Sequence, residues 1–180
     1  MAIQTLIPVG KYSVVEATKL PSRATGDYKN QYELDATDFA TIPAQNGMLL
    51  MIDEFTGKVK LPTAITDYCW LHNSPVKDYE GLGKETVAVN RNEMLPVLYK
   101  LTRGATIITN CVCYDDVVYA NVAAITAAIS ATAVYGIPDI TGRIFLVASP
   151  GGTEVVTLKA KSFTTLANGR VAMKFAVELS

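Results

Sequence analysis

Charged residues are scarce in this sequence: they make up 18% of its 180 residues, against roughly 25% in a typical soluble domain. Sixteen basic and seventeen acidic residues leave a net charge of −1, and no cluster of lysine and arginine stands out. The basic patch with which proteins hold nucleic-acid phosphates is therefore missing, and no nucleic-acid partner is predicted. A surface this poor in charge is either built from neutral polar residues or partly covered by other subunits.

Long hydrophobic runs are also lacking. The longest apolar stretches, residues 47–52 and 117–134, are too short or too interrupted by polar residues to span a bilayer. Residues 1–8 do not combine a basic segment, an apolar run and a small-residue cleavage site, so no signal peptide is predicted. We expect no membrane partner and no secretion by a signal peptide.

Histidine and cysteine are too few for the commonest catalytic and metal sites. The single histidine, His72, lies in an apolar run beside Trp70, which favours a partly buried imidazole with satisfied hydrogen bonds. Cys69, Cys111 and Cys113 lack the spacing of a disulfide framework, which indicates buried free thiols and folding in a reducing compartment. Cys111 and Cys113 would share one side of a strand, but they lack the further ligands of a tetrahedral metal site.

Two other patterns point only weakly to a site. Residues 81–84, Gly-Leu-Gly-Lys, do not have the spacing of a phosphate-binding loop. Asp115 and Asp116, with Glu93 or Asp139, could supply oxygens to Ca²⁺, but solvated or helix-capping carboxylates are favoured because no loop of alternating ligands is present. We therefore predict no catalytic, cofactor-binding or metal-binding residue, and we expect that the protein is not an enzyme.

Strand patterns dominate the first half of the chain. Residues 47–52 and 58–61 flank a turn at Thr56-Gly57, which predicts a hairpin, and residues 65–73 predict a third strand. Residues 1–30 are rich in turn-forming residues and predict an extended N-terminal arm of loops and short strands.

Two further β-rich runs lie on either side of Gly104. Residues 93–101 and 106–114 predict strands that form a hairpin through the turn at 102–105. Alternation along the first run places four side chains on one face: Leu95, Val97, Tyr99 and Leu101.

The C-terminal part predicts a β-meander. Its strands cover residues 143–148, 154–159 and 170–178, and the last is preceded by the hairpin signal Asn168-Gly169. Residues 117–133 are ambiguous because Ala favours helix, while Val, Ile and Thr favour strand. A buried helix that starts after Asp115-Asp116 is the favoured interpretation, with a strand as the alternative.

These patterns together predict a mainly β fold. We expect a small β-barrel or β-sandwich with long loops, an N-terminal arm over residues 1–30 and one short helix near residues 117–131. Residues 31–180 are expected to form a single β-rich domain.

Two segments carry a resemblance to a known family. Residues 93–110, EMLPVLYKLTRGATIITN, continuing to 114, and the C-terminal run GRVAMKFAVE at 169–178 resemble strands of tailed-bacteriophage capsid decoration, or cement, proteins. The resemblance implies a structural virion protein that binds and stabilises a capsid lattice. It also implies folding in the host bacterial cytoplasm, a location on the capsid surface, and partners that are the major capsid protein and copies of itself, in a homo-oligomer without a cofactor.

Two other functions stay open at this point. The first is a different virion component, of the tail, collar or baseplate. The second is a carbohydrate- or ligand-binding module, in which Tyr68, Trp70 and Tyr79 would stack on sugar rings. A hydrolase is the least favoured alternative. The two catalytic carboxylates of a glycoside hydrolase are brought together by the fold, and no specific pair stands out in the sequence.

Overall fold

The computed structural model of the chain describes residues 2–7, 12–75, 95–166 and 169–179. These residues form strands and two short helices, α1 (Pro21–Thr25) and α2 (Val122–Ala131). The strands, in chain order, are β1 (Ile3–Thr5), β2 (Val15–Lys19), β3 (Tyr28–Lys29), β4 (Glu33–Leu34), β5 (Leu49–Asp53), β6 (Lys58–Lys60), β7 (Trp70–His72), β8 (Leu98–Tyr99), β9 (Thr106–Thr109), β10 (Val112–Asp115), β11 (Tyr135–Pro138), β12 (Ile144–Val147), β13 (Val156–Thr165) and β14 (Val171–Leu179).

The strands form two sheets, which confirms the prediction of a mainly β fold. The larger sheet has eight strands in the order β1-β10-β12-β11-β13-β14-β9-β2, and the smaller has six in the order β3-β8-β7-β5-β6-β4. The pairs β10 with β12 and β4 with β6 are parallel, and the other neighbours are antiparallel. Neither sheet closes on itself within the described residues, so the predicted barrel is not formed there.

The larger sheet is nevertheless strongly curved. β9 ends at Thr109 and β10 begins at Val112, yet four strands separate them in the sheet order. In a flat sheet, five strand spacings of about 4.8 Å would place them roughly 24 Å apart, whereas three residues of chain span at most about 11 Å. The sheet must therefore roll around its core until β9 and β10 approach each other.

Apolar side chains from both sheets share the main core. Phe175 and Leu158 of the larger sheet lie in the same buried cluster as Leu49 and Leu71 of the smaller one. Leu50, the neighbour of Leu49, points to the other face because side chains alternate along a strand. That face is covered by a second buried cluster: Leu34, Phe39, Ala44, Met48, Leu50, Val59, Leu98 and Cys111.

The N-terminal residues differ from the predicted extended arm. β1 pairs with β10 and β2 pairs with β9, so these strands form the two outer edges of the larger sheet. β3 pairs with β8 at one edge of the smaller sheet. β1, β2 and β3 therefore pair within the chain, and β1 and β2 cover backbone groups that β10 and β9 would otherwise present at open edges.

Two of the predicted hairpins are confirmed. β5 and β6 pair antiparallel through a turn that contains Gly57 at φ +66°, a conformation that favours glycine. β13 and β14 pair antiparallel through a turn that contains Gly169 at φ +78°. The third strand predicted at 65–73 shortens to β7, because the residues before it form turns held by the Asp67 carboxylate.

The hairpin predicted at Gly104 is wrong. The run before the turn supplies β8 to the smaller sheet, whereas the run after it supplies β9 to the larger one. The Gly104 amide donates a hydrogen bond to the carbonyl of Val177, so the turn packs on β14 and leads the chain from one sheet to the other. Of the residues predicted to share a face, Tyr99 and Leu101 both pack on the main core, while Leu98 lies in the second cluster and Leu95 is exposed.

Residues 117–131 contain the short helix that the sequence favours, but it starts later than predicted. α2 begins after Asn121, whose side-chain oxygen accepts a hydrogen bond from the Ala124 amide at 3.0 Å. Asp115 and Asp116 instead accept bonds from the amides of Val117 and Ala2. The helix is not buried as predicted, because Ile125 is its one fully buried residue. Neither described helix is long and apolar enough to cross a membrane.

Replacing Asn121 by alanine is expected to lower the free energy of unfolding by about 1 kcal/mol, because the Ala124 amide loses its capping partner. Urea unfolding followed by circular dichroism measures this change. Asn121→Asp is the matched control and should stay close to the parent protein, since its carboxylate also caps. Equal losses in the two variants would contradict the capping role.

Candidate functional site

A buried polar cluster joins the two sheets. Its members are at most 8% exposed and are Ser13, Gln45, Asn46, His72, Ser74, Thr109 and Asn110. Three of them lie in or beside β2 and β9 of the larger sheet, and four lie in or near β5 and β7 of the smaller one. Buried polar groups are costly unless they are hydrogen-bonded, so their partners determine what the cluster can do.

His72 is hydrogen-bonded through both ring nitrogens. Its Nδ1 lies 2.8 Å from the carbonyl oxygen of Gln45, and because a carbonyl only accepts, Nδ1 carries the proton. Its Nε2, 2.8 Å from Ser74 Oγ, then accepts from that hydroxyl. Burial lowers the pKa of His72 to about 4, although the hydrogen bond to Gln45 opposes the shift, so the imidazole is neutral near pH 7. The predicted satisfied imidazole is confirmed, and it is fully buried.

Ser74 and His72 form a hydroxyl–imidazole pair of the kind that activates a nucleophile. Three observations favour a structural role for this pair. Ser74 is 3% exposed, its Oγ also accepts the Val97 amide at 2.9 Å, and the low pKa of His72 makes the imidazole a weak base. The far side of the ring faces a backbone carbonyl instead of an orienting carboxylate. That the protein is not an enzyme stays a prediction.

Asn46 ties the same two segments together. Its Nδ2 donates to the carbonyl of Ser74 at 3.2 Å, and its Oδ1 accepts the Ser74 amide at 2.8 Å. One side chain thus satisfies both backbone groups of Ser74, as a neighbouring strand would do. Together with His72, it fixes the loop before β5 against the end of β7.

The larger sheet completes the cluster through Ser13 and Thr109. The amide and hydroxyl of Ser13 both donate to Oε1 of Gln45, at 3.0 and 3.1 Å. The hydroxyl of Thr109 donates to the carbonyl of Val14 and accepts the amide of Cys111. Gly47 packs directly on this hydroxyl: a Cβ at Gly47 would lie 2.3 Å from Thr109 Oγ1. The cluster therefore holds the two sheets in one arrangement.

The three cysteines are buried and unpaired, as predicted. Burial raises the pKa of Cys69 and Cys113 to about 12 and that of Cys111 to about 11. Because the thiolate is the reactive form, these thiols are poor nucleophiles near neutral pH.

The carboxylates considered for Ca²⁺ have local structural partners. Asp115 and Asp116 hold the β10 corner through the backbone bonds described above, while Asp139 accepts the amide and hydroxyl of Thr141. No group of three or more candidate ligands comes together among the described residues. Glu93 and the Gly-Leu-Gly-Lys run at 81–84 lie outside those residues.

The aromatic pair considered for sugar stacking is partly buried. Tyr68 and Trp70 meet edge to face with ring centroids 6.0 Å apart, and the Tyr68 hydroxyl donates to the carbonyl of Leu101. Trp70 packs on the second core cluster. These contacts favour a packing role for both rings, and Tyr79 lies outside the described residues.

An exposed phenylalanine at the β5–β6 turn is the main feature that the sequence analysis missed. Phe55 is 99% exposed, more than any other large apolar side chain among the described residues. The next most exposed are Val117, Ile140, Ile3 and Val118. The sequence signal was an aromatic residue inside an otherwise polar turn, Asp-Glu-Phe-Thr-Gly at 53–57, where no packing partner is available.

A comparison of the chain with models of protein families, with curated proteins and with solved structures finds no significant match in any of the three. The resemblance of residues 93–114 and 169–178 to capsid decoration proteins therefore stays a prediction.

Proposed function

We propose that the protein is a structural virion protein that binds and stabilises a bacteriophage capsid lattice through protein–protein contacts. The observation that carries this proposal is the set of exposed apolar side chains, with Phe55 at its extreme, on a surface that is poor in charge. Aromatic residues such as phenylalanine are enriched in protein–protein interfaces relative to the rest of the protein surface.

The position of the two resembling segments also supports the proposal. They contribute β9 and β14, and these strands are neighbours in the larger sheet, with Ile107 opposite Phe175. β9 and β14 therefore lie side by side, whereas the rest of the first segment supplies β8 to the smaller sheet and β10 to the far side of the larger one. We infer that the two sheets form a β-sandwich-like unit that presents its turns and sheet edges to the partner.

The buried polar cluster fits the same role. It provides no accessible reactive group, while it fixes the two sheets relative to each other. A protein that braces a lattice gains affinity from such rigidity, because less conformational freedom is lost on binding.

The first test is whether a major capsid protein gene lies beside the gene of this chain, and the second is a binding assay with capsid shells assembled from that protein. We expect the purified protein to co-sediment with the shells at saturable stoichiometry and to raise their resistance to heat. Light scattering of the free protein should show a homo-oligomer, and labelled protein should map to the shell in electron micrographs. Failure to bind shells at tens of micromolar, or a location on the tail, would overturn the proposal.

A further inference from the structure

The β5–β6 turn presents an apolar side chain in a position where it contributes nothing to the core. Phe55 is 99% exposed, although phenylalanine is among the residues most often buried. A polar residue at this position would fold equally well, because the turn itself depends on Asp53 and Gly57. The side chain is therefore available entirely for contact with another molecule.

The turn that carries Phe55 is held by several bonds. Asp53 Oδ1 accepts the amides of Phe55 and Thr56 at 3.0 and 3.2 Å. The Gly57 amide donates to the carbonyl of Asp53 at 2.8 Å, with Gly57 in the left-handed region at φ +66°. Asp53 Oδ2 also pairs with Lys60 at 2.7 Å. Phe55 is thus displayed on a preorganised turn, which lowers the entropic cost of binding.

The charges beside Phe55 indicate what it can contact. Lys60 is paired with Asp53, and Lys58 is paired with Glu33. Glu33, Asp53 and Glu54 against Lys58 and Lys60 leave one net negative charge around the turn, and Glu54 is the member of this group without an ion pair. An anionic membrane or a nucleic acid would be repelled by this tip. A protein pocket with a basic residue at its mouth is complementary to it.

We propose that Phe55 and Glu54 form the docking anchor of the protein: Phe55 enters an apolar pocket on the partner, and Glu54 pairs with a lysine or arginine at the rim of that pocket. The anchor rests on the proposed function, in which the partner is the capsid shell. Aromatic side chains that fill a pocket dominate the affinity of many interfaces, whereas charges at the rim act more on association rate and salt dependence.

The test measures shell binding by Phe55→Ala, Glu54→Lys and the matched control Ile140→Ala. Ile140 is also exposed, at 67%, but it lies in a different turn, between β11 and β12. We expect Phe55→Ala to weaken binding at least about 30-fold and Ile140→Ala to change it less than about threefold. Glu54→Lys should slow association most at low salt. The thermal unfolding midpoint of Phe55→Ala should equal that of the parent, because the side chain has no packing to lose.

The outcomes separate the anchor from the proposed function. If the parent protein binds shells and Phe55→Ala binds equally well, the anchor is wrong and the proposed function stands. If the parent does not bind shells, the proposed function fails, and the anchor on the shell fails with it. Binding to vesicles of phosphatidylcholine with phosphatidylserine, or self-association of the free chain, would overturn the anchor if either is lost in Phe55→Ala.

Discussion

Replacing Gly47 by alanine is expected to lower the free energy of unfolding by about 2–5 kcal/mol. Two effects add at this position. Gly47 has φ +95°, where a side chain strains the backbone, and a Cβ would lie 2.3 Å from Thr109 Oγ1 and 3.0 Å from the Cβ of Cys111. Thr109 cannot move aside freely, because its hydroxyl bonds to Val14 and Cys111. Urea or thermal unfolding measures the loss.

Gly104→Ala is the matched control for the backbone strain alone. Gly104 has φ +83°, and a Cβ there would meet nothing within 4 Å, so a loss of about 1 kcal/mol is expected. The excess loss at Gly47 should shrink in the double variant Gly47→Ala/Thr109→Ala, in which the clashing hydroxyl is gone. Equal losses at the two glycines would show that the sheets do not pack through this contact.

The stability of the protein is expected to fall as the pH drops from about 6.5 to about 4. His72 has a folded-state pKa of about 4 against an ordinary value of 6.5, so the unfolded chain binds a proton in this interval and the folded chain does not. The contribution of the neutral His72 to the free energy of unfolding is fully present above pH 6.5. It is lost as the pH falls to about 4, where the loss levels off at about 3 kcal/mol. Urea unfolding at a series of pH values measures it.

Removing the imidazole isolates its effect. The pKa values of Glu154 and Asp35 are lowered from 4.5 and 3.8 by backbone hydrogen bonds, so these carboxylates affect stability below about pH 5. A His72→Gln variant should be less stable at pH 7, yet its free energy of unfolding should be nearly insensitive to pH between 5 and 6.5.

The pKa of His72 in the folded protein can also be measured by NMR titration. His72 is the single histidine, so its ring resonances in the parent protein can be assigned without ambiguity. A titration midpoint near 6.5 would contradict the buried neutral imidazole.

Local signals explain which parts of the fold could be predicted. The hairpins at Gly57 and Gly169 depend on turn residues and on the strands directly beside them, and both are correct. The turn at Gly104 looks similar in sequence. It leads to a different sheet because Gly104 bonds to Val177, a residue more than seventy positions away. No short-range sequence pattern specifies which strand the run after Gly104 pairs with.

The same reasoning applies to the site. Burial of His72 was predictable from the apolar run around it. Its bond to Gln45 was not predictable, because Gln45 lies 27 residues earlier and approaches only when β5 pairs with β7.

The start of helix α2 shows a competition between local residues. The carboxylates at 115 and 116 suit a helix start, but they already bond to the backbone at the β10 corner, and Asn121 caps the helix instead.

The placement of the first two strands has a consequence for how the protein is made. β1 pairs with β10 and β2 pairs with β9, so strands from the first nineteen residues can pair only after residues 106–115 have been synthesised. During synthesis, both remain unpaired until more than half of the chain has left the ribosome. This gives the fold a high contact order, and refolding is expected in the millisecond-to-second range typical of such β topologies.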